Sequence, residues 1–162
     1  SNKQIGDFTV REFEYLTGKS LEEKLDELLY AKKIQEFKSL FNRFCMELRK
    51  CANADFVKSD QFEKIFGKCP EFIHGKSLSS SDIDMIFKNI ILNDDVWNVL
   101  DYEWSYNFFI PVDFIIYRAV HYYQEGERNR IIRKYMDLYE EAGIDQRCRA
   151  TYHTFEKNFQ RY

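Results

Sequence analysis

Residues 81–104 read SDIDMIFKNIILNDDVWNVLDYEW. Asp84 is followed five positions later by Asn89, and then by a short apolar run, Ile90-Ile91-Leu92, that predicts a strand. An Asn93-Asp94-Asp95 turn and a second run, Val96 to Leu100, lead to Asp101. Two paired strands joined by a tight turn return the chain to its starting point, so Asn89 and Asp101 are expected at the same end of a β-hairpin. One carboxylate to orient an accepting hydroxyl, and a second with an amide oxygen to hold magnesium against phosphates, are the groups that phosphoryl transfer uses. From Ser81 to Glu103 there are six acids and one lysine, Lys88, an imbalance that suits a cation site.

The amino-terminal stretch Thr9 to Lys24, TVREFEYLTGKSLEEK, predicts a strand (Val10, Phe13, Tyr15), a turn at Gly18 and a helix opened by Ser20. Ser20 and Glu23 form an S-x-x-E capping box, in which hydroxyl and carboxylate satisfy the free amides of a helix start. That first helix is predicted over about Leu21 to Leu29. Ile34, Phe37, Phe41, Phe44 and Leu48 recur at gaps of three and four, predicting a second, amphipathic helix. Residues 54–80, with Gly67, Cys69-Pro70, Gly75 and a serine-rich run, read as an irregular link. Pro111 suits the start of a deeply buried helix through about Tyr123. Its one strong basic charge, Arg118, calls for a carboxylate partner; Asp113 is nearby but on a different face, and Glu103 or Asp101 is the more interesting candidate. Two more helices are predicted, about Arg128 to Ala142, closed by Gly143, and about Asp145 to Tyr162. Tyr152, Phe155, Phe159 and Tyr162 line one stripe of the last, with the final two expected near the surface and dispensable for stability.

The 162 residues suffice for one domain, 1–162, with a substantial core. The fold class expected is mainly α with a small β-hairpin (α+β). A net charge of −3 gives no electrostatic case for nucleic acid. Cys45, Cys51, Cys69 and Cys148 form no C-x-x-C pair and read as reduced thiols, pointing to a cytoplasmic setting. No apolar run approaches a membrane span. Ser1-Asn2 resembles a cleavage remnant, so the chain is read as a fragment of a longer protein. Phosphate-cradling glycine motifs, the G-x-S-x-G elbow and H-E-x-x-H are absent, which argues against hydrolase and metalloprotease readings.

The 81–104 motif resembles the catalytic and metal loops of small-molecule kinases such as the choline and aminoglycoside kinases. Their pattern runs H-x-D-x-x-x-x-N, strand, turn, strand, D-x-E. The resemblance implies that Asp84 is the catalytic aspartate, and that Asn89, Asp101 and Glu103 hold magnesium. Asp82 stands where the family usually has histidine. Residues 9–20 resemble the hinge of kinase-like folds, where E-Y-L leads through glycine into a helix, implying that the backbone of about Glu14 to Leu16 meets the adenine of ATP. The implied architecture is a kinase-like C-lobe without its N-lobe. DYEWSYNFFIPVDFIIYRAVHYY and TFEKNFQRY, within residues 80–162, also resemble segments of large bacterial cell-surface polysaccharide proteins. Those proteins carry methyltransferase or glycosyltransferase domains. This implies neighbouring transferase domains as partners and a sugar or glycan as acceptor. The alternative is a non-catalytic interaction module coupling such domains.

Overall fold

The computed structural model describes residues 2–5, 8–11, 18–78, 81–100 and 105–162. It is mainly helical, with small sheets. Strands β1 (Asn2–Ile5), β2 (Phe8–Arg11) and β3 (Lys19–Ser20) precede helices α1 (Leu21–Tyr30) and α2 (Ile34–Cys51). Ser20 caps α1 as expected, its Oγ accepting the Glu23 amide at 3.1 Å. Leu21, Leu25 and Leu29 recur every fourth residue and are all buried, so α1 presents one continuous apolar face. Phe37, Phe41, Phe44 and Leu48 do the same for α2.

The segment expected to be an irregular link is more ordered. It holds β4 (Ala54–Asp55), α3 (Asp60–Phe66) and β5 (Lys76–Leu78). Ser59 caps α3 by accepting the Phe62 amide at 3.1 Å, and Phe62, Ile65 and Phe66 are buried. Seven residues between loop signals are too few for a periodic pattern, so packing rather than periodicity makes this helix. It ends at Gly67, where φ is +90° and an added Cβ would run into the Asn158 side chain.

Next come β6 (Ser81–Asp82), a 3₁₀ turn (Phe87–Asn89), β7 (Ile90–Asn93) and β8 (Val96–Val99). The hairpin is the one expected, turning at Asp94-Asp95 with Ile90 opposite Val99 and Asn93 opposite Val96. It belongs to a larger sheet than the sequence suggested, in the order β1-β2-β8-β7-β3. In that sheet β2 and β8 are parallel, Val10 pairing with Val99. Gly18 lies at φ +126°, where a Cβ would sit 2.5 Å from the Leu92 oxygen of β7. Only glycine fits that approach, which seats the start of α1 against the hairpin.

Strands β9 (Ser105–Tyr106) and β10 (Ile110–Pro111) pair with β6 and β5, and Pro111 leads into α4 (Val112–Tyr123). Helix α4 is buried nearly all round, as expected. The helix expected over about 128–142 is instead two, α5 (Gly126–Ile132) and α6 (Leu138–Glu141). Asp137 explains the break: its Oδ1 accepts the Tyr139 and Glu140 amides and restarts the chain as a new helix. Helix α7 (Gln146–Arg161), capped by Asp145, packs on α3 and α4.

Aromatic rings cement the core in two groups. Phe87 meets Phe44 at 5.0 Å and Tyr123 at 5.2 Å, directly beneath the 83–89 loop. Phe66 meets Phe62 at 4.7 Å and Phe114 at 5.4 Å, joining α3 to α4. Phe155 reaches the same group from α7, 5.3 Å from Phe62. Among the described residues no helix is long and apolar enough to cross a membrane.

Candidate functional site

The loop between β6 and β7 is held from below by apolar anchors. Ile83, Met85 and Phe87 are buried, so the alternate residue Asp84 is turned outward, with its side chain 21% exposed. The buried Asp82 carboxylate accepts the Asp84 amide at 2.9 Å. The acid that replaces the histidine of the resembled motif thus braces the loop from behind through its own carboxylate.

Asn89 closes the loop. Its Nδ2 donates to the Asp84 carbonyl at 3.0 Å. A carbonyl can only accept, which fixes the amide orientation and leaves Oδ1 as the free oxygen. The Asn89 carbonyl in turn accepts the Leu100 amide at 2.7 Å, so the hairpin returns the chain to Asn89 one residue short of Asp101. Asp101 and Glu103 themselves lie outside the described residues, as do Glu14 and Leu16. Because β2 and β8 are parallel, their carboxyl-terminal ends lie side by side. In sequence, β2 leads towards Glu14 and β8 towards Asp101. Among the described residues no group of three histidine, cysteine or acidic side chains is placed to hold a metal ion.

Arg118 is the centre of the site. It is 3% exposed, and the partners found for it are Glu156 and Asp84. Its Nε donates to Glu156 Oε2 at 2.6 Å; its Nη1 donates to the Ile83 carbonyl and, at 3.1 Å, to Asp84 Oδ1. Glu156, 2% exposed, also accepts the Tyr122 hydroxyl at 2.5 Å and Gln160 Nε2 at 3.2 Å. The Phe159 ring lies 5.0 Å from the guanidinium and covers it. Burial would raise the Glu156 carboxyl, but the bond and charge of Arg118, with Tyr122 and Gln160, bring it net below its ordinary value. Burial works against the Arg118 charge, and Glu156 and Asp84 outweigh it, so the guanidinium stays fully protonated.

The structure therefore joins two of the expected site residues, Asp84 and Asn89, and ties Asp84 to α4 and α7. Glu156, Tyr122 and Gln160 were not foreseen. A signal for Glu156 was present: it lies between Tyr152 and Phe159 on the apolar stripe of α7, where a lone carboxylate needs a buried cation. Asn98 was also passed over; it is buried on β8, and its Oδ1 has no hydrogen-bond partner among the described residues. Compared with known proteins, the chain matches no family model, no curated protein and no solved structure.

Proposed function

We propose that this chain is a kinase-like phosphotransferase lobe, acting on a small hydroxylated acceptor such as a sugar, with Asp84 orienting the acceptor hydroxyl. The observation that carries the reading is the closed loop: Asn89 Nδ2 on the Asp84 carbonyl, and Leu100 on the Asn89 carbonyl. It couples a partly exposed carboxylate to an amide whose oxygen is free, next to a hairpin end that leads into Asp101. Magnesium fits this donor set, because Asn89 Oδ1 is a hard oxygen with no competing donor among the described residues. Asn89 would hold it, together with Asp101 and Glu103. When bound, magnesium would offset the charge of nucleotide phosphates. ATP would meet the backbone of Glu14 to Leu16, which follows β2 in the sequence. The setting proposed is cytoplasmic, within a bacterial surface-polysaccharide biosynthesis protein and beside other transferase domains.

A second reading has its own observation. The Asp84 carboxylate is engaged by Arg118, as a structural ion pair would be. This favours an interaction module in which the loop is scaffold.

Two variants separate the readings. Asp101→Asn is expected to abolish magnesium-dependent nucleotide turnover with the fold retained. Asp84→Asn is expected to lower turnover while nucleotide binding is preserved, because Asp84 faces the acceptor and not the nucleotide. Turnover unaffected by both substitutions would refute the transferase reading and leave the module.

A further inference from the structure

A polar groove lies between α4, the turn that joins α5 to α6, and α7. It has a volume of about 690 Å³, a size typical of small-molecule sites. Arg133, Lys134 and Arg149 line it, against Glu125 and Asp137. The two acids are not equal. Asp137 is fully engaged: Oδ1 takes the Tyr139 and Glu140 amides, and Oδ2 takes Arg149 Nη1 at 3.2 Å. Arg133 and Lys134, by contrast, make no ion pair among the described residues. On a chain of net charge −3, this groove sets two unpaired cations, Arg133 and Lys134, against one uncommitted carboxylate, Glu125, beside the Arg149–Asp137 pair.

Two imidazoles stand close by. His121 lines the groove, and His153 stands 6.2 Å from it across the α4–α7 seam, beyond Tyr117. The wall behind them is a row of nearly parallel rings. Tyr117 stacks on His121 at 5.7 Å and on Tyr139 at 5.2 Å, and Arg149 caps the row 4.1 Å from Tyr139. Tyr135 stands exposed at the rim.

We propose that this groove binds a phosphate monoester of a small ring-bearing molecule. Arg133 and Lys134 hold the phosphate, His121 adds a donor, and Tyr135 offers its face to the ring. A guanidinium fork, an ammonium and an imidazole are complementary to tetrahedral phosphate oxygens. An aromatic face beside them suits the apolar side of a sugar or a base. The proposal does not depend on the role of Asp84, which does not line this groove. Burial holds His121 below its ordinary value of 6.5; Glu156 pulls it up, while His153 and Arg118 push it down. Phosphate in the groove would favour the imidazolium and raise it. The other charged or titratable groups facing these rings are Tyr117, Tyr122, Tyr139, Glu125, Asp137, Arg133, Lys134 and Arg149, and of these only Glu125 opposes an anion unpaired.

The test is a titration of the whole chain at pH 6.5, following the histidine ring resonances by NMR. Inorganic phosphate, glucose 6-phosphate and AMP are compared with potassium chloride at matched ionic strength. The expected result is saturable shifts of His121 with at least one of the three phosphates. The esters are expected to bind more tightly than the free ion, and the tighter ester tells sugar from nucleotide. Arg133→Ala combined with Lys134→Ala removes two exposed side chains without packing roles, and is expected to weaken binding about tenfold or more. Shifts that follow ionic strength identically in chloride would overturn the proposal, as would unchanged affinity in the double variant.

Discussion

Replacing Glu156 by glutamine should be among the most damaging single changes of one atom type in this chain. The substitution preserves shape and keeps a partner for Tyr122 and Gln160, but removes the charge that faces a guanidinium 3% exposed. Among the described residues Arg118 then retains as hydrogen-bond acceptors only Asp84 at 3.1 Å and the Ile83 carbonyl. Breaking one side of a buried pair costs about 3–5 kcal/mol, and the surviving Asp84 contact argues for the lower end. For a chain of this length about 3 kcal/mol corresponds to a fall of roughly 6–12 °C in Tm. Thermal unfolding followed by circular dichroism measures it directly. Acid provides an internal control. Glu156 is held below its ordinary value of 4.5, so its contribution is complete above that value and is lost as pH falls through the lower, folded one. The gap between the parent chain and Glu156→Gln should therefore be constant near neutrality and close below about pH 4.5. Replacing both members, Arg118→Met with Glu156→Gln, removes both buried charges, keeps an acceptor for Tyr122 and Gln160, and leaves the Ile83 carbonyl and the partly exposed Asp84 to reach water. That double variant should melt nearer the parent than either single one. A loss under 0.5 kcal/mol for Glu156→Gln, or a gap unchanged by acid, would refute the reasoning.

Three other outcomes are expected. Gly67→Ala should cost about 1–3 kcal/mol, seen in urea denaturation, because φ is +90° and the new methyl meets Asn158. Removing residues 158–162 should lower Tm by several degrees rather than leave it unchanged as the sequence suggested. Asn158 Nδ2 donates to the Phe66 carbonyl at 2.7 Å, and Phe159 stacks 5.9 Å from Phe66 while covering Arg118. Thiol labelling at pH 7.5 should be slow in the folded chain at three sites: burial pushes Cys45 up to about 12 and both Cys69 and Cys148 up to about 11. Rapid labelling of any of these, at the rate of the unfolded chain, would contradict the burial described.

What the sequence determined by itself is local. The Ser20 cap, the apolar faces of α1 and α2, the hairpin turning at Asp94-Asp95 and the burial of α4 all follow from interactions within a few residues or from a repeating pattern. The closeness of Asp84 to Asn89 belongs here too, since one tight loop spans them. The burial of Tyr152 and Phe155 and the 67% exposure of Tyr162 were likewise readable from the stripe on α7. Helix α3 and the break between α5 and α6 were not, because seven- and four-residue helices carry too little periodicity to be seen against their flanking loops. The partner of Arg118 was decided only by tertiary structure. Sequence required an acid and pointed to Glu103 or Asp101, which lie outside the described residues; among the described residues the structure supplies Asp84 from 34 residues before and Glu156 from 38 residues after. Pairing between positions so far apart is set by which helix faces pack together, and that is a property of the whole core.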